Sequence, residues 1–257
     1  MKKQNTIAVM FPYVFAQTVS INQSKWRKVN MAKAKTINLE PLDENMVELE
    51  LVGDTDLILH PRSRYYLMSE IWKQTHDKGE DMPNIFKQGK NKWEGLITSI
   101  HWMKPIEFHD EDISLYTEEE WNDHMKNNQP GILTMAFAKS FKEAFVTFYR
   151  DSIGKAGTDF QRALNVSETI VPVEFASVRI EESIVPTKGI GGSTVYCGCN
   201  VFSGWKTKIV VSCPKIVFPL NTIIQIIATS GKYIGIGTQR ANGYGRYHIE
   251  SATVING

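Results

Sequence analysis

The chain has little of several things. It holds three cysteines among 257 residues, an odd number that argues against a disulfide framework and suits a reducing cytoplasm. Its net charge is only +1. No overall field therefore draws it to nucleic acid or to an anionic membrane, and any such binding has to come from a local patch. No apolar run approaches the roughly 20 residues of a membrane helix, and no membrane partner is expected. The segment "IAVMFPYVFA" after Lys2 and Lys3 hints at a signal peptide, but Pro12 interrupts it and no convincing cleavage site follows. No second Cys-x-Cys or His-x3-His pair exists to complete a zinc site with Cys197 and Cys199, so buried inert thiols are expected there. No internal repeat and no serine or cysteine nucleophile arrangement is visible. No metal and no cofactor are expected.

What is present is ordinary globular material, 42% hydrophobic and 22% charged, enough for one core with large insertions. Residues 1–45 are expected to form an N-terminal extension with little order; Met31 opens a polar stretch that reads as a start in its own right. Residues 46–257 are expected as a single domain. "MVELELV" (46–52) alternates as a half-buried strand, and "SRYYLMSEIWKQ" from Ser63 reads as a helix. Residues 76–130 break the pattern and predict an insertion with a short helix near Trp121. Its acidic runs, 110–112 and 118–120, read as solvated carboxylates. Leu133, Phe137, Phe141, Ala144, Phe145 and Phe148 form a helical stripe that has to be buried. "TIVPVEFASVRI" (169–180) predicts a strand, with Pro172 at an edge or a start. The extended stretch 194–212 is split by Ser203-Gly204 and is either a hairpin or one kinked strand, with Thr207, Ile209 and Val211 facing the core. A helix from Leu220 to Ser230 follows, capped by Gly231, then a glycine-rich loop and a last strand. The order is β-α-β-β-α-β: an α+β, ferredoxin-like antiparallel sheet with a helical insertion.

The loop "GIGTQRANGYGR" (235–246) carries the chemistry. Its spacing is G-x-G-x5-G-x-G, with Arg240 and Arg246 alongside. Glycines allow positive φ and leave N–H groups unobstructed, and consecutive exposed N–H groups make an anion-binding concavity. Guanidinium groups pair well with phosphate. Tyr233, Tyr244 and Tyr247 lie close enough in sequence to stack on a base. Turn chemistry alone also explains such glycines. The loop is neither a Rossmann fingerprint nor a Walker loop, because it follows a helix and lacks a Lys-Ser/Thr pair. Two other features stand out. "HPRSR" (60–64) brings His60, Arg62 and Arg64 together, most simply as solvated groups at a helix start. His248, beside the loop, is a weak candidate for a general acid or base.

A C-terminal helix, this glycine pattern and a closing strand resemble the RAMP superfamily, the ferredoxin-fold RNA-binding and RNA-processing proteins of CRISPR systems. The span from Val47 to Ile249 also resembles an uncharacterised family common in phage genomes, through "VELELVGDTDLILH", "AFAKSFKEAF", "FSGW" and "GIGTQRANGYGRY". The resemblance implies a protein of the bacterial host's cytoplasm that binds single-stranded RNA or DNA, alone or as homo-oligomer or ribonucleoprotein subunits along the strand. It nominates Gly235, Gly237, Gly243, Gly245 and Arg246. Arg240, Tyr244, Lys206 and Lys208 are added as neighbours. Binding is favoured over catalysis. A metal-independent endoribonuclease using His248 and a counter-defence protein that captures a nucleotide or a host complex are the alternatives.

Overall fold

The computed structural model describes residues 43–59, 63–77, 80, 81, 83, 85, 91–186 and 194–255, with the side chains of 183–186 and 194–197 excepted. The expected N-terminal extension lies outside the described residues up to position 42, as do His60, Arg62 and the side chain of Cys197. The described residues form an α+β structure of antiparallel sheets and helices.

Strand β1 (Glu44–Gly53) is followed by the short β2 (Leu57–Leu59) and helix α1 (Arg64–Thr75), which Ser63 caps. Next come α2 (Lys92–Thr98), β3 (His101–Trp102) and α3 (Glu118–Asn127). The expected helix at Trp121 is α3. Its N-cap Thr117 accepts from Glu120, and three glutamates fill its first turn, where the helix dipole favours negative charge. The other acidic run is likewise engaged: Asp110 holds Arg64 at 2.6 and 2.5 Å, and Asp112 caps the 3-10 turn Ile113–Leu115. Leu96, Ile97, Ile113, Tyr116 and Trp121 form a small core of their own. Buried Asn200 ties it to strand β8 (Thr194–Ser203), accepting from the Trp121 indole at 2.9 Å and donating to the Leu96 carbonyl at 2.8 Å.

Strand β4 (Pro130–Leu133) leads into α4 (Thr134–Ala144), a π-helical turn (Phe145–Tyr149), α5 (Arg150–Ile153) and α6 (Gly157–Ala163). The stripe differs from its expectation at both ends: Leu133 is not helical but ends β4 half-buried, and among the phenylalanines one is not enclosed. Phe137, Phe141, Ala144 and Phe145 are fully enclosed, and Phe145 stacks on Phe160 at 4.7 Å with Phe218 edge-on to both rings. Phe148 is instead 47% exposed. The π turn holds one residue more than an α turn, which rotates Phe148 off the stripe and puts Tyr149 against the core.

The expected single strand over 169–180 is two: β6 (Ile170–Pro172), at the edge of a β3-β4-β6 sheet, and β7 (Ser177–Pro186), which pairs with β8 (Thr194–Ser203). The stretch 194–212 is not a hairpin. At Gly204 (φ 61) the chain turns from β8, in a β2-β8-β7 sheet, into β9 (Lys206–Pro214) of another sheet. That sheet has four strands in the order β10-β1-β9-β5, where β5 is Asn165–Val166 and β10 is Tyr247–Val254. Val47, Leu49 and Leu51 of β1, Thr207, Ile209 and Val211 of β9 and Tyr247 of β10 are buried on its covered face. Helix α7 (Leu220–Thr229) contributes Ile223, Ile226 and Ile227 to the same core.

Gly231 does not cap α7. The helix continues as a second π turn, Ser230–Ile234, and the terminal residue of left-handed φ is Gly235 (φ 75). Gly231 is small for a different reason: a Cβ there would lie 2.2 Å from the Tyr247 carbonyl oxygen. Gly231→Ala is expected to destabilise the protein by about 1–3 kcal/mol through overpacking. Gly95→Ala in α2, where a Cβ meets nothing within 4 Å, is expected to stabilise it by about 0.5–1 kcal/mol. Urea unfolding of both variants checks the pair, and equal effects would contradict the packing described.

Candidate functional site

The glycine loop leaves the π turn at Gly235 and enters β10 at Tyr247. Its four glycines have φ of 75, 77, 89 and 69° in chain order, and Gln239 shares the left-handed region at 55°. Three of them also sit where backbone crosses backbone, Gly235 among them, where a Cβ would lie 2.8 Å from the Gly245 carbonyl oxygen. A Cβ at Gly237 would lie 2.5 Å from the Ile58 carbonyl oxygen, and one at Gly245 would lie 1.9 Å from that of Ile236. Much of the loop's hydrogen bonding is internal. The amides of Gly235, Ile236, Thr238, Gly243 and Gly245 donate to Ser230, Gly245, Ile58, Arg240 and Asp56. Thr55 clamps the far end: its hydroxyl donates to the Gly243 carbonyl at 2.8 Å and accepts from the Arg246 amide at 2.9 Å.

The expectation that the glycines bare a row of amides is therefore corrected in part. Gly235, Gly243 and Gly245 spend theirs on the fold, as an enclosed polar group must. The amides of Gly237, Gln239, Arg240 and Ala241 have no hydrogen-bond partner among the described residues. These four residues line one cleft of about 540 Å³, with Thr238, Arg246, Tyr233, Ile234 and Glu143 completing it.

The two arginines differ. Arg240 makes an ion pair with Glu143 of α4 at 2.9 Å, with about half of Glu143 exposed. Such exposed pairs contribute roughly 0.2–1 kcal/mol, little enough for a phosphate to replace the carboxylate. Arg246 has no carboxylate partner among the described residues. Its Nη2 donates to the Arg240 carbonyl at 3.3 Å, while Nη1 is buried and unpaired. A guanidinium carries five donors, and one left dry and unmatched is costly unless an acceptor arrives.

Other nominated residues lie elsewhere. Tyr244 packs on Ile58, Cys199 and Val201, with its hydroxyl 3.4 Å from Glu181, and does not line the cleft. Lys206 and Lys208 alternate with buried Thr207 and point from the uncovered face of the four-stranded sheet. Lys206 is paired with Glu174 at 3.0 Å, and Lys208 lies opposite Glu50 in the register. That face is not a basic strip, and neither lysine lines the cleft. His248 shares the uncovered face. Its Nδ1 lies 2.6 Å from Asp54 and its Nε2 3.3 Å from Glu250, and the bond to Asp54, ahead of that to Glu250, raises its pKa above 6.5. Arg64 is held by Asp110, away from the loop's cleft. Cys199 and Cys213 are buried, and burial pushes the Cys213 thiol up to about 11, which keeps it a poor nucleophile. Among the described residues no cluster of three or more His, Cys, Asp or Glu has the geometry to hold a metal ion, and no helix is long and apolar enough to cross a membrane.

Two features, one in the cleft and one on the first π turn, escape a reading of the sequence. Glu143 lies within the amphipathic α4, and nothing in its spacing ties it to a loop 97 residues away. Phe148 belongs to the core stripe by spacing and is displaced only by the π turn, which has no sequence signature here.

Compared with protein-family models and with curated proteins, the chain matches none. Among solved structures, it is similar to a chain in a cryo-EM structure of Type III-B Cmr-beta bound to cognate target RNA. The identity is 10% and the TM-score 0.41, covering 83% of this chain and 61% of that one. A likeness of that size assigns no role to any residue.

Proposed function

We propose that the glycine-loop cleft binds the phosphate backbone of a single-stranded nucleic acid. The observation that carries this reading is the buried, unpaired Nη1 of Arg246, in a cleft that also offers four unmatched amides. Backbone N–H groups and a guanidinium without a carboxylate are the donors a phosphate oxygen takes. Arg240 joins them by exchanging Glu143 for the ligand.

The proposal places this cleft on a ferredoxin-like unit of the RAMP kind. Its support is the strand order β10-β1-β9-β5, all antiparallel. Counted along the chain these are strands 4-1-3-2, with α4 joining the first to the second and α7 the third to the fourth. Residues 76–130 then form an insertion in a single domain over 46–257, and side-by-side assembly along the strand follows as part of the same reading. Cleavage by His248 is disfavoured, because two carboxylates hold its ring and it does not line the cleft.

Two measurements test this. Single-stranded RNA or DNA is expected to bind with an affinity that falls as salt rises. Arg246→Ala is expected to weaken binding by about ten- to hundred-fold, the loss of a charged hydrogen bond at roughly 1.5–3 kcal/mol. Arg240→Ala should lose less, and Lys206→Ala/Lys208→Ala nothing. Salt-independent binding, or none, would contradict the proposal.

The His248 ring is expected to titrate above 6.5 by NMR, and to return toward that value in Asp54→Asn. Its contribution to stability is then complete below about 6.5 and lost as pH rises through the folded value. RNA is expected to stay intact on long incubation without divalent metal; cleavage abolished by His248→Ala would favour the ribonuclease instead.

A further inference from the structure

Phe148 and Tyr233 are exposed aromatic residues with no core to serve. They are 47% and 51% exposed, with ring centroids 5.4 Å apart and planes tilted by 42°. Each sits on one of two π-helical turns, Phe145–Tyr149 and Ser230–Ile234, that face one another. The Tyr149 hydroxyl bonds at 2.7 Å the hydroxyl of Thr229, the last residue of α7, which fastens the first turn to the helix that leads into the second. A π turn is less stable than a continuous α-helix and is frequent at functional sites. Here both such turns bring an aromatic ring to the same place. Tyr233 also lines the loop cleft with Arg240 and Arg246, and the Lys232 ammonium lies 5.3 Å from its ring centre.

We propose that Phe148 and Tyr233 form a stacking platform for a nucleobase at the lip of the cleft, so that the site selects a base-bearing strand over a bare polyanion. This rests on the reading that the cleft holds phosphate. The occupant is set by what adjoins the rings: cationic donors on one side fit a phosphate, and an aromatic face beside them fits the base attached to it.

The test compares a ten-nucleotide oligouridylate with a ribose–phosphate oligomer of equal length and charge that lacks bases, both read by fluorescence anisotropy. The wild-type chain is expected to prefer the base-bearing strand by roughly five- to hundred-fold per stacked base. A Phe148→Ala variant should lose most of that preference while holding the base-free oligomer as before, and Tyr233→Phe should retain it. Equal wild-type affinity for the two oligomers overturns the platform and leaves the phosphate cleft standing. Binding of neither overturns both. Loss of base-free binding in Phe148→Ala assigns the ring a structural role and overturns the platform; the wild-type comparison needs no variant and is unaffected by folding.

Discussion

The indole of Trp205 holds together the end of the structure that carries the glycine loop. It is fully buried and donates to the Thr55 carbonyl at 2.8 Å, while a Cβ at Gly53 would lie 2.2 Å from its nitrogen. Gly53 is therefore small so that the ring can lie against β1, and the ring fixes the turn Gly53–Asp56 that follows. That turn is the seat of the glycine loop. Thr55 holds Gly243 and Arg246, Asp56 accepts from Gly245, and Ile58 accepts from Thr238 with Gly237 pressed against it. Segments some 150 and 190 residues apart in the chain are one interlocked unit. Moving the indole would release the turn, and with it the position of Arg246.

This explains which parts were legible from the sequence. β1 and the covered face of β9 were readable because period-two alternation is set by local geometry, and Val47, Leu49, Leu51, Thr207, Ile209 and Val211 are buried as that period requires. The glycine loop was visible as composition, but not how its amides are spent, since their acceptors belong to Ile58, Asp56 and Ser230. The same holds for the cap at Gly231: a glycine after a helix looks like a terminus, and only the distant Tyr247 reveals close packing as its cause. The two π turns left no trace in the pattern. One displaced Phe148 from a stripe that the 3.6-residue period had assigned to the core. Lys206 and Lys208 were correctly outward, but the carboxylates that share their face come from other strands.

The division of labour in the loop is the main chemical conclusion. Gly235, Gly243 and Gly245 serve the fold, and so do Thr55 and Tyr244. What is left without a partner is small: the amides of Gly237, Gln239, Arg240 and Ala241, and the guanidinium of Arg246 with one buried nitrogen unmatched. Near-neutral overall charge leaves no broad positive field, so the proposed binding would rest on these placed donors.

The most direct measurement of that division is a nitrogen–proton NMR spectrum recorded while a single-stranded oligonucleotide is added. The account predicts that the amides of Gly237, Gln239, Arg240 and Ala241 and the Arg246 side chain shift most, while those of Gly243 and Gly245 stay nearly fixed. Shifts concentrated on the uncovered sheet face, around Lys208 and His248, with the loop unmoved, would contradict it.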